Sequence, residues 1–184
     1  MRYLYILLFS IALAADDHSS EGKIDENCKD ITKDNISERS FTNEYVGTFN
    51  GKRIEYTAGL KEKVLYEKDN PDAPQASFFY TEYIAKNGNQ RPVIFSFNGG
   101  PGSASLWLHM GVLGPKVIKV PSNASDDGSP PYKIIDNKLS PLSEADLVFI
   151  DPIGTGYSRA IGCHSGEEFW GVNEDPKIDR KSVV

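Results

Sequence analysis

Apolar positions fall in short runs separated by long polar stretches. Residues 3–13 are almost wholly apolar, broken by Ser10 alone, and follow one basic residue, Arg2. Residues 16–43 then become polar and charged without a helical or strand period, which predicts a flexible leader, with order beginning near Glu44. Apolar and aromatic positions return at 45–49 and 53–57 on either side of Asn50-Gly51. Asn-Gly supplies the positive φ angles of a tight two-residue turn, so this stretch predicts a β-hairpin. Residues 69–74 hold two prolines and two aspartates and read as a loop. Residues 76–85, rich in Phe and Tyr, predict a strand, and Asn87-Gly88 opens a turn.

The next two runs differ in kind. Residues 93–97 (Val-Ile-Phe-Ser-Phe) and 147–150 (Leu-Val-Phe-Ile) are short, nearly continuous apolar segments, the pattern of strands buried on both faces of a parallel sheet. Between them, residues 103–112 are compatible with a helix that Gly114-Pro115 would stop, and residues 121–131 form a long loop of Pro, Ser, Asp and Gly. From Gly154 onward glycines and charges dominate and no regular element is expected. The order is hairpin, strand, helix, long connection, strand, which is how an α/β domain with a largely parallel sheet begins.

Composition is that of a globular chain: 39% hydrophobic and 25% charged residues. The formal net charge of -6, with no useful Lys/Arg run, argues against a nucleic-acid partner. The basic start, the apolar run and the small residues of Ala12-Leu13-Ala14 match a secretory signal peptide over 1–14. The run is too short for a stable membrane span, which needs about 20 residues. A secreted or periplasmic location follows as an expectation, or a secretory lumen if the source is eukaryotic. Export would permit a disulfide between Cys28 and Cys163, the two cysteines of the chain. With Cys28 in a polar tail and Cys163 in a late loop, the expectation is two free thiols, or partners in sequence not present here. No Cys/His cluster suggests a metal, and no cofactor is expected.

The most informative segment is Asn98-Gly99-Gly100-Pro101-Gly102, between a predicted buried strand and a predicted helix. Adjacent glycines let the backbone turn sharply and approach a ligand. Backbone N–H groups at a helix start can face developing negative charge, as an oxyanion hole requires. A purely structural strand-to-helix turn would need the same residues. A phosphate loop is disfavoured because no Gly-Lys-Ser/Thr follows.

The surroundings add a resemblance. Phe97 through Ser105 (Phe-Asn-Gly-Gly-Pro-Gly-Ser-Ala-Ser) is similar to the signature segment of the serine carboxypeptidases, as is Gly114-Pro115. Asp151-Pro152-Ile153-Gly154-Thr155-Gly156-Tyr157-Ser158 resembles a second segment of that family. Trp107-Leu108-His109 and Phe169-Trp170-Gly171 look like its bacterial branch. The resemblance runs over about 44–175 and implies the N-terminal part of an α/β-hydrolase fold, with an incomplete sheet. It further implies a hydrolase that removes single residues from peptide C-termini. In that reading the Gly100 N–H is one oxyanion donor, Asn98 hydrogen-bonds the substrate carboxylate, and Gly99, Pro101 and Gly102 shape the loop. Two positions depart from the eukaryotic members: Ser96 stands where they carry Trp, and Val112 where they carry a carboxylate-binding Glu.

The triad is not expected in this chain. The family's Gly-Glu-Ser-Tyr-Gly nucleophile segment has no counterpart among the 184 residues. Gly156-Tyr157-Ser158-Arg159-Ala160 comes near the elbow pattern, but glycines on both sides disagree with the direct strand-turn-helix that an elbow needs. His18 lies in the leader, His109 suits packing or hydrogen bonding, and His164 is expected to be solvated. Asp151, before a proline at a strand end, is expected to anchor its loop by accepting backbone hydrogen bonds. The expected organisation is a signal peptide over 1–14, a leader over 15–43, the N-terminal part of the carboxypeptidase domain over 44–175 and a truncated tail over 176–184. Such a fragment would be inactive alone, with peptides bearing a free C-terminus and the missing C-terminal part of the domain as partners. The alternatives are a non-catalytic secreted peptide-binding module and an esterase-like hydrolase on the same fold.

Overall fold

A computed structural model describes residues 31–86, 90–98, 102–120 and 130–169. The signal peptide over 1–14, Cys28, the Asn87-Gly88 turn, Gly99, Gly100, Pro101, most of the 121–131 loop and the 176–184 tail lie outside the described residues.

The hairpin forms where Asn-Gly places it. Strands β1 (Ser40–Phe49) and β2 (Lys52–Tyr66) pair antiparallel, with Phe49 opposite Lys52. Asn50 and Gly51 both take positive φ, 49° and 78°, as a two-residue turn of this hand demands. Gly51→Ala would force an L side chain into the left-handed region in otherwise open space, so the expected loss is about 1 kcal/mol of stability from backbone strain alone. Chemical denaturation of the two proteins checks this.

β1 starts at Ser40, ahead of Glu44, and a single 3-10 turn precedes it at Lys33–Asn35. The polar residues there are tied down individually. The Arg39 backbone N–H and guanidinium both donate to the buried carboxylate of Glu62, and Glu38 accepts from Lys63 and from the Val64 N–H. Hydrophobic pattern could not report order that rests on charged residues.

The main sheet has six strands. β3 (Pro74–Ala85) pairs antiparallel with β2. β4 (Val93–Ser96) is parallel to β7 (Asp146–Ile150), and β7 in turn lies antiparallel to β3. The spatial order is β1-β2-β3-β7-β4, with the two-residue β8 (Arg159–Ala160) joining β3 beyond β7. All five residues of β7 are buried: the apolar run 147–150, and Asp146, whose carboxylate pairs with Arg91. Successive residues serve opposite faces. Leu147 and Phe149 join Phe49, Ile54, Tyr56, Ala85 and Leu142, whereas Val148 and Ile150 join Leu65, Ala76, Phe78 and Ile153. One alternating strand therefore feeds two cores. The sheet is mixed rather than largely parallel, since β1, β2 and β3 run antiparallel.

The connection from β4 to β7 departs from expectation. The helix predicted over 103–112 begins only at α1 (Leu106–Leu108) and widens into a π turn over His109–Leu113. The Gly114 N–H closes that turn on the His109 carbonyl at 2.9 Å, and a Cβ at Gly114 would come within 2.4 Å of the same oxygen. Glycine is thus what lets the chain leave so sharply. A small antiparallel pair, β5 (Lys116–Ile118) with β6 (Ile134–Asp136), brackets the long loop. Beyond Gly154, where no regular element was expected, stand β8 and a 3-10 turn at Gly166–Phe169. Cys163 is disulfide-bonded, which corrects the expectation of a free thiol. No helix among the described residues is long and apolar enough to cross a membrane.

Candidate active-site loop

β4 delivers the chain to the carboxyl end of the parallel pair, with Ser96 opposite Phe149. The segment singled out in the sequence begins two residues later. Asn98 is half-buried, and its Nδ2 donates to Ser103 Oγ at a long 3.4 Å, so most of its donor capacity is uncommitted. Gly102 has φ of 95°, a value that favours glycine, and nothing would touch a Cβ there within 4 Å. Backbone conformation, not crowding, is what requires glycine at 102. Gly99, Gly100 and Pro101 fall between these two described positions.

The far end of the loop is pinned by Ser105. Its side chain is buried, its N–H donates to Asp151 Oδ1 at 2.8 Å, and its hydroxyl donates to the Ile150 carbonyl. Asp151 therefore anchors backbone as anticipated, although the partner lies 46 residues away, across the sheet end, and not in its own loop. Burial pushes the Asp151 carboxyl above the usual aspartate range, and the Ser105 N–H partly offsets this by stabilising the charged form.

The second motif folds into a knot. The Ser158 side chain is fully buried. Its hydroxyl donates to the Asp151 carbonyl at 2.8 Å and accepts the Phe79 N–H at 2.8 Å. Both functions of the hydroxyl are spent on backbone, and no histidine of the described residues contacts it. The chain around it turns on the Ser158 N–H to Thr155 carbonyl and Thr155 N–H to Pro152 carbonyl bonds, and the short strand β8, not a helix, follows directly. In this structure Ser158 ties the Asp151 carbonyl to the Phe79 N–H.

The two histidines of the described residues are likewise accounted for; His18 lies outside them. His109 stacks on Phe149, with ring centroids 4.6 Å apart, and its Nε2 lies 2.6 Å from the Tyr83 hydroxyl. Burial pushes its pKa down to about 4, so the ring is neutral near pH 7. His164, expected to be solvated, is instead largely enclosed. Its Nδ1 is 2.8 Å from Glu168 Oε2 and its Nε2 is 3.6 Å from Glu67 Oε1. Among the described residues neither His109 nor His164 hydrogen-bonds Asn98 or Gly102. Val112 is exposed and contributes only its carbonyl, which accepts from Asn137 Nδ2 at 2.8 Å, as does the Gly114 carbonyl at 2.9 Å.

Sequence reasoning missed Ser105, Gly156 and Asn137. Ser105 closes the first motif and Gly156 sits inside the second, so both were in view. Their roles depend on a contact between the motifs that spacing does not carry.

Comparison with known proteins gives a family match. The model of the serine carboxypeptidase family matches residues 56–165, which include both motifs. The chain is 35% identical over 104 residues to serine carboxypeptidase-like 36 of Arabidopsis thaliana, covering 56% of this chain and 20% of that protein. It is 36% identical over 100 residues to a pheromone-processing carboxypeptidase of Saccharomyces cerevisiae, covering 54% of this chain and 12% of that protein. Similarity to carboxypeptidase Y homolog A of Trichophyton tonsurans is 31% over 102 residues, or 55% and 17% of the two chains. The aligned stretch thus spans a fifth or less of each of these relatives.

Proposed function

The chain belongs to the serine carboxypeptidase family, and from that premise we propose that it supplies the substrate-carboxylate and oxyanion loop of a secreted serine carboxypeptidase. The observation that carries this reading is the place of the loop. Asn98 to Gly102 leaves β4 at the carboxyl end of the parallel pair β4/β7, the end at which open α/β sheets bind ligands. The sheet order, with β4 at one edge beside the buried β7, is compatible with the N-terminal part of an α/β-hydrolase sheet.

Each residue has a task in this reading. The amide of Asn98 donates to the terminal carboxylate of a peptide. The Gly100 N–H donates to the oxyanion that forms when the scissile carbonyl is attacked. Gly99, Pro101 and Gly102 give the loop its shape. In this reading the nucleophile and its histidine base are not Ser158, His109 or His164, which among the described residues are committed elsewhere; the chain also has no Gly-Glu-Ser-Tyr-Gly segment. By itself the chain therefore has an electrostatic trap and nothing to activate, and it is inactive on peptides. The signal-like residues 1–14 and the disulfide at Cys163 support export, since disulfides persist in oxidising compartments.

The test is a pair of substrates that differ only at the terminus. In a complete carboxypeptidase bearing this segment, Asn98→Ala is expected to raise KM for a blocked dipeptide with a free carboxylate by about 10-fold or more, because a hydrogen bond to a charged group is lost. The amidated dipeptide should change by only a few-fold. Equal losses for both substrates would remove Asn98 from carboxylate recognition and leave the loop without its assigned substrate.

A further inference from the structure

The two family motifs meet at a single carboxylate. Asp151 stands just past the carboxyl end of β7 and is fixed by its own backbone. Its N–H donates to the Phe79 carbonyl at 3.1 Å, and its carbonyl accepts the Ser158 hydroxyl at 2.8 Å. Of its carboxylate oxygens, Oδ1 takes the Ser105 N–H and Oδ2 faces Gly156. A Cβ at Gly156 would lie 2.1 Å from Oδ2, and φ at this residue is +51°, so an L side chain there meets both a clash and backbone strain. No charged side chain of the described residues pairs with this carboxylate. Burial and the Ser105 N–H are the influences on it.

We propose that Asp151 is the positioning residue of Ser105, the anchor beyond the segment that leaves β4 at Asn98, and that Gly156 is the residue that makes room for its grip. The near end of the loop is fixed by β4, which pairs directly with β7. The far end is fixed by Ser105, whose N–H and hydroxyl both bond the end of β7. The loop is thus referenced at both ends to one buried strand, and Asp151 is the polar link that closes the reference. What the loop does once held rests on the carboxypeptidase reading; that Asp151 holds it does not.

The link can be observed directly in the whole 184-residue chain. The Ser105 amide resonance is followed through an acid titration. It is expected to move with a single midpoint above the ordinary aspartate value, because the carboxylate it touches is partly buried. Asp151→Asn keeps an acceptor oxygen, so it should abolish the titration while leaving Ser105 amide exchange within a few-fold of the parent. Asp151→Ala removes the acceptor and should speed that exchange by about 10-fold or more, with the β1–β2 hairpin amides as an unchanged reference. Gly156→Ala should speed it comparably by displacing Oδ2 while leaving the carboxylate chemically intact. A Ser105 amide that ignores the titration in the parent chain overturns the proposal even if the alanine variants fail to fold. So does exchange in a folded Asp151→Ala that matches the parent. In the same samples an acetylated dipeptide with a free C-terminus probes the Asn98 amide. If Ser105 titrates as expected and the dipeptide leaves Asn98 unmoved, the positioning role stands and the carboxypeptidase reading falls.

Discussion

Replacing Gly100 by proline in a complete carboxypeptidase carrying this segment is expected to lower turnover by at least about 100- to 1,000-fold, the cost of one lost oxyanion donor, equivalent to about 2.7–4 kcal/mol in the barrier. Proline has no N–H, so the donor disappears outright. Its ring also holds φ near −65° and restricts the residue before it, here Gly99, so the turn is distorted as well. These two effects separate by experiment. Gly100→Ala keeps the N–H and should lose less. The proline variant should lose kcat far more than it gains KM, because the oxyanion exists only in the transition state. Steady-state kinetics on one blocked dipeptide suffices. Turnover that survives the proline within a few-fold would mean that the donor is elsewhere, and would leave Gly100 as a residue of loop shape alone.

Much of the frame behind that loop was legible from residue pattern. The Asn50-Gly51 turn was readable because few residue pairs accept positive φ at both positions. β7 was readable because a strand covered on both faces is nearly continuously apolar, as residues 147–150 are; its buried first residue, Asp146, is instead satisfied by Arg91 and the Ala85 N–H. The misreadings have a common cause in long-range contact. Residues 103–112 look helical one by one, but Gly114 closing on the His109 carbonyl widens the helix into a π turn. β5 and β6 are three residues each, too short to show alternation, and they pair across a long loop. The early start of β1 at Ser40 accompanies Arg39 reaching Glu62, which lies 23 residues on.

The candidate site divides in the same way. Glycines 99, 100 and 102 and Asn98 announced themselves by type and by their place after an apolar run. Rejecting Ser158 as nucleophile was also within reach, since the glycines around it contradict an elbow, and its buried hydroxyl is spent on backbone. The partner of Asp151 was not readable. A carboxylate before a proline suggests a local anchor, whereas the N–H it takes belongs to Ser105 in the other motif. His164 shows the same limit: a glycine-rich loop reads as solvated until Glu67 and Glu168 are brought against the ring.

Acid should weaken the fold through His109, and the His109→Gln variant should be spared that part of the loss. The ring is packed between Phe149 and Tyr83, and burial holds its pKa near 4, against about 6.5 for a solvated imidazole. Above pH 6.5 neither the folded nor the unfolded chain protonates this ring. Between about 6.5 and 4 the unfolded chain takes up a proton that the folded chain refuses, so stability falls as pH falls. Below about 4 both states are protonated and this contribution stops changing. The interval of roughly two and a half pKa units corresponds to a loss on the order of 3 kcal/mol, a sizeable part of the 5–15 kcal/mol typical of a domain. Carboxylates also titrate in acid. Glu62 is held low by Arg39 and Ser77 against its burial, which makes its contribution fall with pH, while buried Asp151 is held high and works in the opposite sense. Both are present in the parent and in the variant, so they cancel in the difference. Glutamine does not titrate and can keep a hydrogen bond to the Tyr83 hydroxyl, though it gives up the stack on Phe149. The variant should therefore be the less stable protein at pH 7.5 and lose less on acidification. Urea unfolding of both proteins at pH 7.5 and 4.5 measures this. Parallel losses would show that the His109 ring is open to protons in the folded chain, and with that the packing of the π turn against β7 and Tyr83 would have to be looser than the contacts with Phe149 and Tyr83 require.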